Sequence, residues 1–462
     1  MSMPTARTFE ISRERPHLAV AGLAAFLLLC TVLLGISIPT MFLGMLILAA
    51  AVGTLIRPEI GLHVLVFNAM VGLTHVVDMP RVGPVSVPVL IEFLVLGAIL
   101  FQTAFLRKRV AIGTAQHTLL GFLAIWVLLS VMTGVMVGPE NFRQYRNLFL
   151  VRLIMFLIVG ALVTTIAQAR RVVVTFMVSN LGLLCVAAAV RLGYFGQEKI
   201  TISQEFERTG ALVQNPNELA FNLTTMLVLS IFAFLYVRGR RLKVLLFGLA
   251  AADLFFTLST LSRSGFICLC IVLMFLFFKL TGNLRAVAVM LLLALCGWLM
   301  IPDQLFARFS RIDEVKDVDR LQLASVGLAM TTAHPLLGVG MGNYVPLFWD
   351  YNTSHMKRAA PSHNMYLDLT AQMGVPSLLI YLAVIGVTWR GLRRMERDLK
   401  ARGALRSFEY LFGLAIQGFF VNLAVFGLSG DVEFDYSAFV LLGLAMVIMQ
   451  QHRVKVGASG RN

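Results

Sequence analysis

What most limits this chain is a succession of apolar runs of about 20 residues, broken by short polar segments, along nearly all of its 462 residues. A helix of that length covers ~30 Å of hydrocarbon. The expected fold class is therefore all-α: a polytopic integral membrane protein with roughly 12 to 14 transmembrane helices. The range reflects Pro58, Pro80 and Pro84, which interrupt the second to fourth runs and allow a re-entrant hairpin there. Composition agrees, since 58% hydrophobic and 14% charged residues, with a mean hydropathy of +0.83, lie outside the soluble globular range.

Orientation follows from the basic residues, which favour cytoplasmic flanks. The clusters at 107–109, Arg170–Arg171, 238–243 and 390–406 fall on one side of the threaded chain together with both termini, so that side is expected to be the cytoplasm. The net charge of +15 is then a matter of topology, and no nucleic-acid partner is implied, because the charges lie in short loops rather than on one soluble face. The 390–406 segment is suited to lipid head groups. The first apolar run is followed at once by a second, which reads as a retained anchor and not a cleaved signal.

All five cysteines, Cys30, Cys185, Cys268, Cys270 and Cys296, fall inside expected spans, where they pack as small apolar residues. Neither a disulfide framework nor a metal-ligand cluster is present, and no phosphate loop of the nucleotidase kind occurs, so no cofactor and no metal are expected. The chain divides into N-terminal spans (1–191), a core with two long outer loops (192–389) and a basic loop with the last spans (390–462).

The outer loops are 192–215 and 302–362, and the second carries an amphipathic helix with Leu321, Leu323, Val326 and Leu328 on its apolar side, ending at His334–Pro335. The "GVGMGN" after it reads as a tight turn at the surface. In "QNPNELA", Asn215 suits an N-cap, Pro216 the first helical position and Glu218 the capping-box acid, while Asn217 lies between them. That reading is structural; a helix N-terminus facing outward also favours an anion. Arg208 is by itself an ordinary loop arginine, and Arg263, at the outer start of a span, is a residue that snorkels. Arg152 lies more than a turn inside a span, where an unpaired charge costs at least ~2.5 kcal/mol at the bilayer centre, so a cavity or partner is expected. Together with Arg143 and Arg146 it makes a series of forks suited to phosphate oxygens. His363 starts a later span. It reads either as a capping or surface residue or, with an unperturbed pKa of about 6.5, as a general base that nearby arginines keep neutral. Ser362 or Asn364 caps the helix without it, and Asp368 either orients its ring or only favours the helix start.

In order, "ERTGALVQNPNELA", "LSRSGF", "HPLLGVGMGNY" and "HNMYLDLTAQMGVPSLL" resemble the O-antigen ligase and Wzy-type polymerase superfamily of bacterial surface glycan assembly. The hallmark is a His followed by Asn, Ser or Gln, then nine residues and Gly, matched by His363–Asn364 and Gly374; Ser377 stands where the family usually has Gly, Thr or Tyr. The resemblance runs from about 192 to 381. It implies a metal-independent, inverting transferase of the inner membrane, working on its periplasmic face. The donor would be a glycan on undecaprenyl pyrophosphate, and the acceptor another glycan or lipid A core. By similarity Arg208 and Arg263 hold the donor pyrophosphate and His363 takes the acceptor proton; Arg152 is added from its intramembrane position. Ligase and polymerase are not separated by these motifs, and protein O-oligosaccharyl transfer is a near relative of both. A flippase of lipid-linked sugars is the alternative from another class, disfavoured because no internal repeats with matched broken helices are recognisable.

Overall fold

The structure, a computed structural model, describes residues 38–71, 87–105, 113–192, 216–282, 314–352 and 359–459. Fourteen helices run through them: α1 (Ile38–Ile56), α2 (Pro58–Val71), α3 (Val87–Phe105), α4 (Ala115–Thr133), α5 (Pro139–Leu162), α6 (Ile166–Arg191), α7 (Pro216–Tyr236), α8 (Arg240–Ser259), α9 (Arg263–Thr281), α10 (Glu314–Ala333), α11 (Phe348–Tyr351), α12 (Met365–Ala401), α13 (Phe408–Phe426) and α14 (Tyr436–Ser459). No strand occurs among the described residues. Nine of these helices, α4 to α9 and α12 to α14, are long and apolar enough to cross a membrane, and α1 to α3 contain shorter apolar helices. The expected runs at 18–36 and 286–301 lie outside the described residues.

Burial separates the centre of the bundle from its rim. About 83% of the apolar window of α13, 78% of α14 and 72% of α7 is buried, against 22% in α8 and 28% in α9. The outer helices turn large side chains such as Leu245, Phe247 and Phe255 away from the protein, as a lipid-facing surface requires. Phe221 of α7 ties the centre together, with Phe426 and Phe419 of α13 at 5.2 and 6.1 Å between ring centroids. A polar group also sits inside the bundle: Asp253 of α8 accepts from Asn180 Nδ2 of α6 (3.0 Å) and Ser230 Oγ of α7 (3.3 Å).

Following the chain, the basic residues collect at one end. Arg170 and Arg171 open α6, Arg240, Arg241 and Lys243 open α8, and the far end of α12 carries Arg390, Arg393, Arg394, Arg397 and Lys400. The expected loop at 390–406 is therefore corrected: α12 continues as a helix to Ala401, because its apolar stripe Leu392, Met395 and Leu399 keeps the 3–4 residue spacing and stays buried. At that end Lys279 Nζ meets Glu396 Oε2 at 2.6 Å, with Gln417 Oε1 at 2.8 Å.

At the opposite end the α10 segment folds back onto the bundle. Its break after Ala333 falls where the His334–Pro335 pair predicts, since a proline disfavours helix at the residue before it. Its buried face, however, is Leu323, Val326 and Met330, while Leu321 and Leu328 are 74% and 56% exposed. The buried set follows an i, i+3, i+7 line; the expected one mixed two faces.

Candidate functional site

The turn "GVGMGN" is not a surface feature. Val339, Met341 and Asn343 are at most 3% exposed, wedged between the end of α4 and a break inside α12. The break is a consequence of Pro376. Proline has no N–H, so the Gln372 carbonyl loses its helical donor, and Gly374 adopts φ 80°, ψ 163°. The turn supplies what the helix lacks. Val339 N donates to the Ala371 carbonyl (2.8 Å) and Gly340 N to that of Gln372 (3.0 Å), while Val375 N donates to the Pro335 carbonyl (2.8 Å). Ser130 Oγ adds a second donor to Gln372 O and Trp126 Nε1 one to Met373 O. A Cβ on Gly374 would lie 1.9 Å from Leu336 O, so only glycine admits the turn. This is the physical content of the nine-residue spacing: it holds His363, at the head of α12, about three turns from the place where the loop is sewn in.

Asn364 is the N-cap of α12. Its Oδ1 accepts from the backbone N–H of Tyr366 (3.0 Å) and Leu367 (3.1 Å), and its Nδ2 donates to Leu428 O (3.2 Å). With capping done by its neighbour, His363 is spared that task. It takes a left-handed φ of 50°, uncommon for a residue with a side chain although histidine is enriched there, and such outliers cluster at functional sites. Ser362 Oγ donates to Asp368 Oδ1 (2.9 Å), so Asp368 braces the helix start and does not orient the ring.

The group that faces the ring is Asp431, in the α13–α14 loop, with Oδ2 3.1 Å from His363 Nδ1. A carboxylate there selects the Nδ1–H tautomer and leaves Nε2 as the free base. The hydrogen bond to Asp431 raises the His363 pKa above its ordinary value, partly opposed by desolvation and by the field of Arg320. The expectation that nearby arginines hold this histidine neutral is thus corrected, because a directly bonded carboxylate outweighs a cation that acts only through its field.

Beside this pair opens a cavity of about 540 Å³. Its walls carry Glu140 of α5, Glu218 of α7, Asp368 of α12 and, from the α13–α14 loop, Asp431, Glu433 and Asp435. Burial pushes Glu433 well above the usual carboxylate range, with Asp368 and Asp431 adding to it, and burial also raises Asp435. Among the described residues that line the cavity, one cation faces this set. Arg152 lines the cavity with its Nε on the Phe434 carbonyl (3.1 Å) and its guanidinium 4.4 Å above the Tyr436 ring, whose OH donates to Glu92 Oε1 (3.1 Å). The partner expected for an intramembrane arginine is thereby identified. Glu140, Gln144, Leu148 and Arg152 reach the cavity at strict four-residue steps, which an α-helix would rotate by about 40° each; the π-helical stretch Tyr145–Leu150 widens the turn that carries them.

Among the other expected site residues, Asn217 Oδ1 accepts from Ser262 Oγ (2.8 Å), the N-cap of α9, and so joins the start of α7 to that of α9, where half-buried Arg263 stands. Arg263 is near this end of the bundle but does not line the cavity. Arg208 and Asn215 lie outside the described residues. Sequence reasoning missed Asp431, Glu433, Asp435 and Arg320. The first three were detectable: "DVEFD" places three carboxylates on alternate residues in a short loop between two spans.

Residues 249–382 match the O-antigen ligase family model. The matched stretch contains Arg263, the buried turn, His363 and Gly374, so it supports the resemblance read from the motifs and, with it, a membrane enzyme of the O-antigen ligase or polymerase type. No curated protein matches the chain. The O-antigen ligase-like region supplies the histidine and one wall of the cavity, whereas Arg152, Glu218 and the Asp431–Asp435 loop come from outside it.

Proposed function

We propose that this protein is a membrane glycosyltransferase that moves a glycan from undecaprenyl pyrophosphate to an acceptor hydroxyl, on the face opposite its basic end. The observation that carries the reading is the His363–Asp431 pair, 3.1 Å apart at the edge of a polar cavity. His363 Nε2 takes the acceptor proton while the acceptor oxygen bonds to the anomeric carbon from the side opposite the leaving group. The bond from that carbon to the pyrophosphate oxygen breaks, inverting the centre. Asp431 holds the ring and stabilises the imidazolium formed. The leaving group is already activated, so no ATP is called for, and its charge is met by Arg263 and Arg208, with Arg320 added by its electrostatic reach to His363. Arg152 is assigned to the cavity, since its guanidinium is held by Tyr436 and Phe434. The basic end faces the cytoplasm by the rule that positive loops stay inside, which sets the site on the periplasmic face of the inner membrane.

The test uses purified protein in nanodiscs with an undecaprenyl-pyrophosphate-linked glycan repeat as sole substrate. Wild type should release undecaprenyl pyrophosphate, and His363→Ala should release it at least ~100-fold more slowly. Undiminished release by the variant would remove the histidine from the chemistry. Chain lengthening in wild type identifies a polymerase; turnover that starts only when lipid A core is added identifies a ligase.

A further inference from the structure

Asp431 sits in the middle of a loop that is fixed on both sides. Upstream, the end of α13 is bonded to the head of α12: the Gly427 carbonyl accepts from Met365 N (2.8 Å), Leu428 O from Asn364 Nδ2 (3.2 Å) and Ala424 O from the Tyr366 hydroxyl (2.7 Å). That side therefore shares a frame with His363. Downstream, a turn closed by Asp435 N on the Val432 carbonyl (3.2 Å) leads into α14, whose first turn Asp435 caps by accepting from Ser437 N (2.8 Å). This side is held by other helices. Arg152 of α5 donates from Nε to Phe434 O (3.1 Å) and lays its guanidinium 4.4 Å above the Tyr436 ring. The Tyr436 hydroxyl in turn donates to Glu92 of α3 (3.1 Å), which is buried, and the Phe434 ring meets Phe149 of α5 edge-on at 5.3 Å. With Nε engaged, the side-on fork that would grip a phosphate is closed, and the charge of Arg152 already acts on the carboxyls of Glu92 and Asp435. What Arg152 fixes is a carbonyl three residues after Asp431, and with it one end of the arc that aims this carboxylate.

We infer that Arg152, backed by Tyr436 and Glu92, is a positioning residue that holds Asp431 against His363, and is not a ligand of the donor pyrophosphate. The part this plays in catalysis rests on the transferase reading. Helices that lie outside the O-antigen ligase match then set the alignment of a histidine that lies inside it.

Histidine-labelled protein in nanodiscs, titrated by NMR with the His363 signal identified through His363→Gln, tests this beside donor kinetics on the same samples. The groups that face the ring are Asp431 from the loop, Asp368 of α12, Arg320 of α10 and Glu218 of α7, and Asp431 is bonded to it. Arg152→Lys keeps the cation and loses the Nε donor, so its effect reports geometry and not charge. It should move the His363 pKa down, toward that of Asp431→Asn, because the bond to Asp431 is what chiefly raises it. On the same samples kcat should fall about tenfold while KM for the lipid-linked donor stays unchanged. Added to Asp431→Asn, the substitution should cost less than about threefold more, since the contact it protects has already lost its charge. Tyr436→Phe keeps the ring under the guanidinium and removes only the bond to Glu92. It should shift the pKa the same way by less, and it decides the matter if Arg152→Lys does not fold. A His363 pKa that does not fall, a raised KM for the donor, or losses that multiply in the double variant would each overturn the role. The titration needs no turnover: if the pKa falls but His363→Ala keeps full transfer, the base assignment fails while the positioning of the pair stands.

Discussion

The turn Pro335–Asn343 and the loop Asp431–Asp435 lie at the same end of the bundle; the first is packed into a break in a spanning helix and the second joins two such helices. In the first, the polar groups find partners. Asn343 Nδ2 reaches the carbonyls of Met136 and Val339 while its Oδ1 accepts from Asn141, whose Nδ2 also holds the Met341 carbonyl. In the second, carboxylates crowd together, and Glu433 Oε2 has no partner. Ser437 is bonded to Asp435, yet among the described residues lining the cavity one guanidinium faces six carboxyl groups. Backbone that leaves a helix inside a membrane protein must be satisfied by protein, and the first region meets much of that demand. The second is built at a cost to stability, and under the proposed transferase reading it is the part that meets substrate.

The contrast is broken most directly at Gly374. Gly374→Ala puts a Cβ 1.9 Å from a backbone oxygen at a φ of 80°, where nothing flexible yields, and should destabilise by more than ~3 kcal/mol. Gly386→Ala, in the same helix with open space around it, should be neutral or stabilising by less than ~1 kcal/mol. Thermal unfolding in detergent compares the two. Similar melting temperatures would mean that the turn is not anchored as described.

At the loop, Asp431→Asn should leave stability almost unchanged and lower transfer about 10- to 100-fold. The pH profile carries the sign. His363 has a raised pKa in the folded protein, so the stability from its pairing is present below the unfolded value and fades as pH rises through the folded one. Base function runs the other way, because transfer requires the neutral ring and rises through that same raised pKa. Asp431→Asn removes the main raising influence, so the acidic limb should move to lower pH. A limb that stays in place would dissociate Asp431 from the histidine. Arg263→Lys is the next smaller effect: the charge remains but the two-pronged geometry goes, and about tenfold lower transfer at unchanged melting temperature is expected.

What was legible beforehand was the part set by local rules. Continuous apolar runs gave the all-helical membrane class, Ser362 or Asn364 read as the cap, which is Asn364, and His334–Pro335 ended α10 where the backbone of proline demands. The order of four short motifs led to the family that residues 249–382 match. The site's other half was not legible, since Asp431 meets His363 across 68 positions of chain and only packing of α13 against α12 brings them together. Gly374 was counted as a spacing and understood only once Leu336 O was seen against it. The burial of the "GVGMGN" turn was missed for the same reason: its composition is that of an exposed turn, and the donors it supplies are needed by a helix thirty residues further on.

The smallest effect sharpens the description of α10. Leu323 is 4% exposed and packs under the helix with Val326 and Met330, whereas Leu321, two residues earlier, is 74% exposed on the other side. Leu323→Ala should therefore cost the ~2–5 kcal/mol of a core truncation, and Leu321→Ser should stay within ~0.5 kcal/mol. The sequence pattern treated the two as one apolar face, which predicts comparable losses. Unfolding of both variants in the same detergent decides between the readings, and because Leu321 lies next to Arg320, transfer by Leu321→Ser gives a second answer. Unchanged transfer leaves the outer face of α10 without a part in the reaction. Loss of transfer at full stability would instead mean that this face meets the lipid or the incoming glycan, and that the region grouped with the satisfied scaffold belongs, on its outer side, to the working one.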